Sequence, residues 1–213
     1  WAYCEALEEM SDTSPPPRAT WLRALALELE RAANHLGDLG ALGNDAGFAF
    51  GLAQFLRLKE RLLRAVEASL GQRYLLDFVV PGGTARDLSA VGRETLTQCL
   101  DDVAAEAKEL RAIYDDHAGL RDRFSGAGRL DPELANWLGV VGLAGRASDQ
   151  PLDLRLDLMQ APYVQLNLQR VVQTGGDVLA RVAVRFDELA ESLRVAQEIL
   201  GKLPPGPHQT AAA

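Results

Sequence analysis

Charged side chains lie directly beside an apolar stripe in the stretch ELERAANHL. Glu28, Arg31 and His35 repeat at steps of three and four, and Leu29 and Leu36 belong to a stripe that follows the same steps one residue later. One residue is about 100° of rotation in an α-helix, so the polar stripe borders the apolar one and is expected to be half buried. An acid, a guanidinium and an imidazole in that place form either an internal ion network or the wall of a functional site.

A second polar stripe occurs near the C-terminal end of the sequence. Arg181, Arg185, Glu188 and Ser192 are separated by steps of four, three and four, again beside an apolar stripe. Because interior charges are costly unless they are paired, the two stripes are expected to pair with each other. A contact between Glu28 and Arg185 is one example of such a pair.

Two loops contain further candidates for chemistry. In NDAG, the carboxylate of Asp45 either accepts a proton at the mouth of the helical core or caps the following helix. The stretch GRASDQPLDLR places Arg146, Ser148, Asp153 and Arg155 within ten residues. Such a segment either braces a negatively charged cofactor or is an exposed turn held by its own salt bridges.

The other histidines and the cysteines give little support for a metal site. His35 has no second ligand candidate nearby in the sequence, and His117 is interpreted as a packed histidine or a cation at a helix C-terminus. Cys4 and Cys99 are isolated, so the sequence has neither a CxxC metal clip nor a disulfide framework. This cysteine usage favours a reducing, cytoplasmic compartment.

Composition excludes two classes of partner for the chain itself. The formal net charge of -8 and a pI of about 4.9 argue against nucleic-acid binding, which requires a basic patch. No apolar run approaches the roughly 20 residues that span a bilayer, so no transmembrane segment is predicted. Docking on a membrane subunit remains compatible with this composition.

Apolar periodicity predicts the elements that position these residues. The stretch SDTSPPPRAT is a linker, and GALGNDAG interrupts the first helix with turn-forming residues. Gly71 ends a helix, Pro81 and Gly82 form a turn after a short extended stretch, and Asp177 caps the last helix. The four long helices are predicted over residues 18–39, 47–70, 89–118 and 178–201.

Four long helices with apolar stripes favour a mainly α fold with a four-helix-bundle core. Residues 119–176 are an elaborated, irregular connection that either lacks strands or contains one small hairpin. The whole of residues 1–213 is predicted as a single domain, with a tail at 203–213. Because the sequence starts at Trp1 and ends in three alanines, it is expected to be the central part of a longer chain.

Several stretches, taken in order, resemble one known family. They are ELERAANHL, NDAGF, KERLLRAVEASLGQRYL, VPGGTARDL, GLAGRASDQPLDLR, APY, GGDVLARVAVRFDELAESL and LPPGP. The set resembles the catalytic large subunit shared by membrane-bound nickel–iron hydrogenases, including the formate-hydrogenlyase type, and by respiratory complex I (NADH-quinone oxidoreductase), where it is the 49 kDa component. No single stretch is specific, but the ordered set covers nearly the whole chain.

The resemblance implies an oxidoreductase subunit that is active in a complex. Its partners would be an iron–sulfur small subunit, which carries the iron–sulfur clusters, and membrane-arm subunits, with the chain peripheral on the cytoplasmic face of the inner membrane. Electrons would pass from the iron–sulfur partner to quinone, or to protons if flanking CxxC pairs hold nickel and iron. NADH, if it is the donor, would be oxidised on another subunit, since the sequence has no Gly-rich nucleotide loop.

The resemblance also assigns roles to residues. Asp45 matches an aspartate beside the family's redox cavity, where it pairs with an N-terminal histidine in the quinone-reducing branch, and it is the predicted catalytic residue. The other matching positions are predicted to support the cavity: Glu28, Arg31, His35, Arg73, Arg146, Asp153, Arg155, Asp177, Arg181, Arg185 and Glu188.

Departures from the family pattern leave two other functions open. The sequence has no CxxC pair and no N-terminal histidine region, Asp149 replaces an expected glycine, and Leu166 stands where tyrosine is common. One alternative is a redox-inactive assembly or interaction protein that kept the helical core and lost the metal site. The other is an unrelated helical bundle with accidental matches.

Overall fold

A computed structural model describes residues 1–158 and 160–210. The chain is mainly helical, as predicted, with one small antiparallel hairpin of β1 (Val79–Val80) and β2 (Gly83–Thr84). A 3₁₀ turn covers Tyr163–Gln165. The helices are α1 (Ala2–Met10), α2 (Pro17–Asp45), α3 (Ala49–Leu70), α4 (Ala90–Asp116), α5 (Ala118–Phe124), α6 (Pro132–Trp137), α7 (Gly142–Ala147), α8 (Leu154–Asp157) and α9 (Val178–Lys202).

The four long helices surround one apolar core. Helix α2 packs against α3 and α9, and α4 packs against the same two helices. Leu36, Phe55, Leu100 and Ile199, one from each long helix, are completely buried. The apolar stripes of the sequence therefore meet in a common interior, whereas a four-helix bundle in the strict sense stays a prediction because it also requires particular crossing angles.

The break predicted at GALGNDAG is shorter than predicted and lies at the end of that stretch. Helix α2 continues to Asp45, and the chain turns at Ala46 and Gly47, where Gly47 has a φ of 81°. Two earlier glycines of the stretch are contact points with neighbouring helices rather than turns. A Cβ atom on Gly40 would lie 3.2 Å from Cβ of Phe55 on α3, and one on Gly43 would overlap the hydroxyl of Tyr114 on α4. That hydroxyl donates a buried hydrogen bond of 2.9 Å to the carbonyl of Leu39.

The small hairpin of β1 and β2 lies outside the 119–176 connection, the segment in which the sequence analysis allowed for a hairpin. Val79 pairs with Thr84, and Gly82 has a φ of 80°, which confirms the turn predicted at Pro81 and Gly82. Between 119 and 176, the described residues form short helices, the 3₁₀ turn and irregular segments without a strand. The described part of the connection therefore contains short helices and irregular segments but no strand.

Both ends of the chain are more ordered than the sequence indicated. Helix α1 was not predicted, and its Glu8 forms a buried salt bridge of 2.5 Å with Arg23 of α2. The predicted tail pairs with the hairpin through Thr210, whose amide donates to the carbonyl of Gly82 at 2.8 Å. The tail is thus part of the fold as far as residue 210, and residues 211–213 lie outside the described residues.

Three predictions about helix ends can be compared with the structure. Asp177 caps α9 by accepting from the amide of Ala180 at 2.8 Å, and Gly71 ends α3 in the left-handed conformation, as predicted. His117 lies at the C-terminal end of α4, the place that one of its two interpretations gave it, but it is exposed, and its Nδ1 accepts from the amide of Leu120 at 3.2 Å. It therefore caps α5 instead of packing in the core.

We predict that Gly43→Ala destabilises the protein. A methyl group at this position overlaps the Tyr114 hydroxyl and forces α4 or the tyrosine ring to move, which typically costs about 1–3 kcal/mol. Urea denaturation measures the change in the free energy of unfolding.

Gly201→Ala is the matched control for this test. Gly201 is also helical, but a Cβ atom there meets nothing within 4 Å, so the alanine is expected to be neutral or to stabilise by up to about 1 kcal/mol. Equal effects of the two substitutions would contradict a close contact at Gly43.

Candidate functional site

Two carboxylates lie in the interior where the two polar stripes meet. Glu28 of α2 is 0% exposed and Glu188 of α9 is 1% exposed. Both oxygens of Glu28 accept from Nη1 of Arg155, at 3.1 and 3.0 Å, and Oε1 also accepts from the hydroxyl of Tyr163 at 2.7 Å. Glu28 is therefore fully satisfied by residues of the 119–176 connection.

Glu188 is held by three cationic or basic side chains. Its Oε2 lies 3.1 Å from Nε2 of His35 and 3.1 Å from Nη2 of Arg31, both on α2. Its Oε1 accepts from Nε of Arg146 at the end of α7. Glu188 thereby ties helix α9 to α2 and to the connection at the same point.

Arg31 joins the two carboxylates into one network. Its Nε lies 3.8 Å from Glu28 and its Nη2 bonds Glu188. Asp153 extends the network at the other end, since its Oδ2 accepts from Nη2 of Arg155 at 2.6 Å. We call this set the ion network, and its members are Glu28, Arg31, His35, Arg146, Asp153, Arg155, Tyr163 and Glu188.

Local structure explains why these side chains converge. The steps of three and four put Glu28, Arg31 and His35 on one face of α2, as the sequence predicts. In the connection, Asp153 caps α8 by accepting from the amide of Arg155 at 3.1 Å, and this turn directs the Arg155 side chain back to its own cap. The short helix α8 thus presents a preformed acid–guanidinium pair to Glu28.

Electrostatics favour the charged forms of Glu188 and Asp153. Burial alone would raise the pKa of Glu188, but hydrogen bonds from His35 and Arg146 and the charge of Arg31 outweigh it and lower this pKa to about 2. For Asp153, burial likewise acts to raise the pKa, and Arg155 more than compensates, so the pKa is lowered. Burial and the neighbouring Glu28 raise the pKa of Tyr163, which keeps its hydroxyl protonated as a donor.

The charges of the ion network balance. Three guanidinium groups face three carboxylates, so the charges of the arginines and the acids cancel. The interpretation of GRASDQPLDLR as an exposed turn held by its own salt bridges is wrong in two respects. Arg146, Asp153 and Arg155 are buried, and only the Arg155–Asp153 bridge lies within the segment, whereas Arg146 and Arg155 also pair with Glu188 and Glu28 of the long helices. Each arginine already has a carboxylate partner within the chain.

Four of the predicted cavity residues lie outside the ion network. Arg73 pairs with Glu60 on the surface of α3, and Asp177 is the cap of α9. Arg181 donates to the carbonyls of Gly128 and Gly176, at 2.8 and 3.0 Å. These residues stabilise local structure away from the two buried carboxylates.

The pair suggested between Glu28 and Arg185 does not form. Arg185 is the fourth outlying residue and lies 3.1 Å from Asp38, further along α2, while Glu28 is occupied by Arg155. Helical periodicity identified the correct faces of α2 and α9. It could not reveal that the connection supplies the partner of Glu28.

Asp45 is exposed at the last position of α2. Helix α3 begins at Ala49 after Phe48, and Phe48 provides no side-chain cap, so the capping interpretation of Asp45 is wrong. Among the described residues, Asp45 has no hydrogen-bond or salt-bridge partner. Its carboxylate is available to groups outside this chain.

Sequence reasoning missed two buried polar features. Tyr163 belongs to the stretch APY, but a single tyrosine carries no signal of its hydrogen bond to Glu28. Arg23 is 1% exposed and bonds Glu8, with its Nε donating to the carbonyl of Gly83 at 3.1 Å. The only sequence signal that Arg23 would be buried was its position within the apolar part of helix α2.

The described residues do not supply a nickel–iron site. Cys4 and Cys99 lie on different helices, α1 and α4. The thiol of Cys4 lies 3.6 Å from the carbonyl oxygen of Val79, and the thiol of Cys99 lies 3.8 Å from the carbonyl oxygen of Arg61. Within residues 1–158 and 160–210, no three His, Cys, Asp or Glu side chains are arranged to hold a metal ion. Ligands for such a centre would have to come from residues beyond these.

The helical fold is similar to that of subunits of membrane-bound respiratory complexes. One such match is a chain of the membrane-bound sulfane sulfur reductase, an archaeal respiratory membrane complex, with a TM-score of 0.88 and 26% identity. The match covers 95% of this chain and 55% of the other. In the described part of the chain, no helix is long and apolar enough to cross a membrane.

The chain belongs to the family of the respiratory-chain NADH dehydrogenase, 49 Kd subunit, whose model matches residues 45–213. It is 29% identical to a subunit of NADH-quinone oxidoreductase from Thermosipho melanesiensis, over 96% of this chain and 56% of the relative. It is 32% identical to formate hydrogenlyase subunit 5 of Escherichia coli, over 97% of this chain and 36% of the relative. The family resemblance of the sequence is confirmed, and the chain spans about half or less of these relatives.

We predict that Glu188→Gln strongly destabilises the protein. The substitution leaves Arg31 and Arg146 without their shared buried carboxylate, and breaking a buried pair in this way costs about 3–5 kcal/mol. Glu198→Gln on the same helix is the control, because Glu198 forms more exposed pairs with Arg194 and Lys202 and should cost about 1 kcal/mol or less. Denaturant unfolding of both variants measures the difference.

The same carboxylate predicts a pH dependence. The pKa of Glu188 is about 2 in the folded chain and 4.5 when unperturbed, so its stabilising effect is complete above pH 4.5 and is lost as the pH falls towards 2. The wild-type protein should therefore lose more stability between pH 5 and pH 2 than Glu188→Gln does. Parallel loss in both proteins, measured as urea midpoints across this range, would refute the assignment.

Proposed function

We propose that this chain is part of the large subunit of a membrane-associated redox complex, in which electrons pass from an iron–sulfur partner subunit to quinone or to protons. Family membership supports this proposal, because the relatives named above include subunits of NADH-quinone oxidoreductase and formate hydrogenlyase. The observation that carries it is the buried ion network, which uses seven of the side chains expected to support the cavity. The proposal places the chain on the cytoplasmic face, against membrane-arm subunits.

The ion network acts in this proposal as a brace rather than as a reacting group. Its salt bridges fix α2, α9 and the connection relative to one another, and its balanced charge leaves no free guanidinium to hold an anionic cofactor. Preorganised, water-excluded polar groups keep nearby elements in place without rearrangement during a reaction. The position of α2 is therefore set before any substrate binds.

Asp45 is the group that handles a proton in this proposal. It lies ten residues after His35 on the same helix, which is about 15 Å along the helix axis. The ion network thus holds one part of α2 while the exposed carboxylate stands at its end. Asp45 would accept or deliver a proton at a bound quinone, whose reduction consumes protons together with electrons.

Asp45→Asn tests the catalytic role in the intact complex. We expect turnover with quinone to fall by about 10²-fold or more, because the amide cannot take up or release a proton. Asp116→Asn is the matched control, since Asp116 is also an exposed aspartate at the last position of a long helix and should leave turnover unchanged. Steady-state quinone reduction measures both variants.

The outcome also separates the two functional hypotheses. Wild-type turnover in Asp45→Asn would remove this residue from the mechanism while leaving the subunit assignment intact. An assembled wild-type complex in which this chain supports neither quinone reduction nor hydrogen evolution would instead favour the redox-inactive assembly protein.

A further inference from the structure

A small apolar cavity lies between α2 and α3, beside the loop that joins α3 to β1. Its volume is about 180 Å³, and its lining is mainly apolar. Buried side chains form its floor, namely Leu29 and Ala33 of α2 and Leu63 and Val66 of α3. A dry cavity of about 150 Å³ lined by such side chains holds benzene, so this cavity has space for an apolar group of about six carbon atoms.

The loop of residues 71–77 forms the outer wall of this cavity. Leu75 lines the cavity in a left-handed conformation with a φ of 51°, and Asp77 follows with a φ of 55°. Non-glycine residues adopt such φ values at an energetic cost, and they persist where the surrounding structure fixes them, as at ligand clamps. Tyr74 and Leu76 also line the cavity and are 62% and 70% exposed, so apolar surface continues from the cavity to solvent.

Lys59 of α3 places an unpaired cation at one side of the cavity. Its side chain is half buried and lies across α2 at Gly37, where a Cβ atom would come within 2.9 Å of Nζ. Gly37 follows Ala33 by one turn of α2, so the ammonium lies next to the apolar floor. Among the described residues, this ammonium has no hydrogen-bond or salt-bridge partner.

The other charged groups around the cavity do not neutralise this ammonium. Arg73 donates to Glu60, at 3.0 Å from Nη1 to Oε1, so its charge is already balanced. Glu30 is exposed and lies seven residues before Gly37, which is about 10 Å along the axis of α2. Asn34, three residues before Gly37, adds exposed amide N–H donors on the same side of the helix. The polar edge beside the ammonium therefore favours an anionic acceptor.

We propose that this cavity binds a small apolar monocarboxylate, with the carboxylate on the ammonium of Lys59 and the hydrocarbon between α2 and α3. The carboxylate supplies the charge that Lys59 lacks, and a body of about six carbon atoms fills the cavity. Such a ligand would join α2, α3 and the 71–77 loop. The site is independent of the proposed function, since Ala33 in its floor lies about 18 Å from Asp45 along the axis of α2.

Hexanoate is the probe for this site, and hexan-1-ol is its uncharged counterpart. Equilibrium dialysis against the intact complex measures the Kd of each compound. Lys59→Met keeps an unbranched apolar side chain but removes the charge, so it should raise the Kd for hexanoate by about tenfold or more. The Kd for hexan-1-ol should stay the same. Lys108→Met is the matched control, because Lys108 is an exposed lysine within α4 and lies outside the cavity, and it should change neither Kd.

Ala33→Met tests the apolar part of the site. The longer side chain fills the cavity from α2, so binding of both compounds should weaken by about tenfold or more. An unchanged Kd for hexanoate in Lys59→Met, or no binding of hexanoate to the wild-type complex, would overturn the proposal. Equal loss of hexanoate and hexan-1-ol in Lys59→Met would also overturn it, because the lysine would then shape the cavity without binding the carboxylate. Failure of this site would leave the proposed function standing, since that function is tested by quinone reduction.

Discussion

The structure depends on keeping two carboxylates charged in an apolar interior. Glu28 and Glu188 are almost completely buried, and an unpaired carboxylate in such a place would be protonated or would destabilise the fold by several kcal/mol. Arg31 and His35 of α2 both contact Glu188 of α9 at 3.1 Å, so these two side chains join α2 to α9. The connection adds Arg146 to Glu188, and Arg155 and Tyr163 to Glu28.

This requirement explains how a segment with little regular structure can be held in place. Most of the connection forms short helices that could not persist in isolation. Arg146 and Arg155 insert into the core between the long helices, and the hydroxyl of Tyr163 completes the coordination of Glu28. The connection is therefore anchored by charge-assisted hydrogen bonds, whereas the long helices are anchored by apolar packing.

Hydrophobic periodicity in the sequence predicts which side of a helix is buried, and it succeeded where helix packing determines the structure. It identified the four long helices and the polar sides of α2 and α9, with Glu28, Arg31, His35 and Glu188 of the ion network. Arg146, Asp153 and Arg155 were candidates only because their loop is rich in charge and resembles the family. Periodicity failed where a partner comes from a distant segment without periodicity, as when Arg155 instead of Arg185 bonds Glu28. It also failed at Gly40 and Gly43, because a glycine that permits close helix packing has the same sequence signal as one that forms a turn.

The balance of charge in the ion network bears on where chemistry can occur. The three guanidiniums and three carboxylates pair with one another, and the lowered pKa values of Glu188 and Asp153 keep those two acids charged across the physiological pH range. Each guanidinium of the ion network already has a carboxylate partner, so none of the three is free to hold a further anion. In the proposed function, the proton-handling Asp45 lies outside the ion network, exposed at the last position of α2.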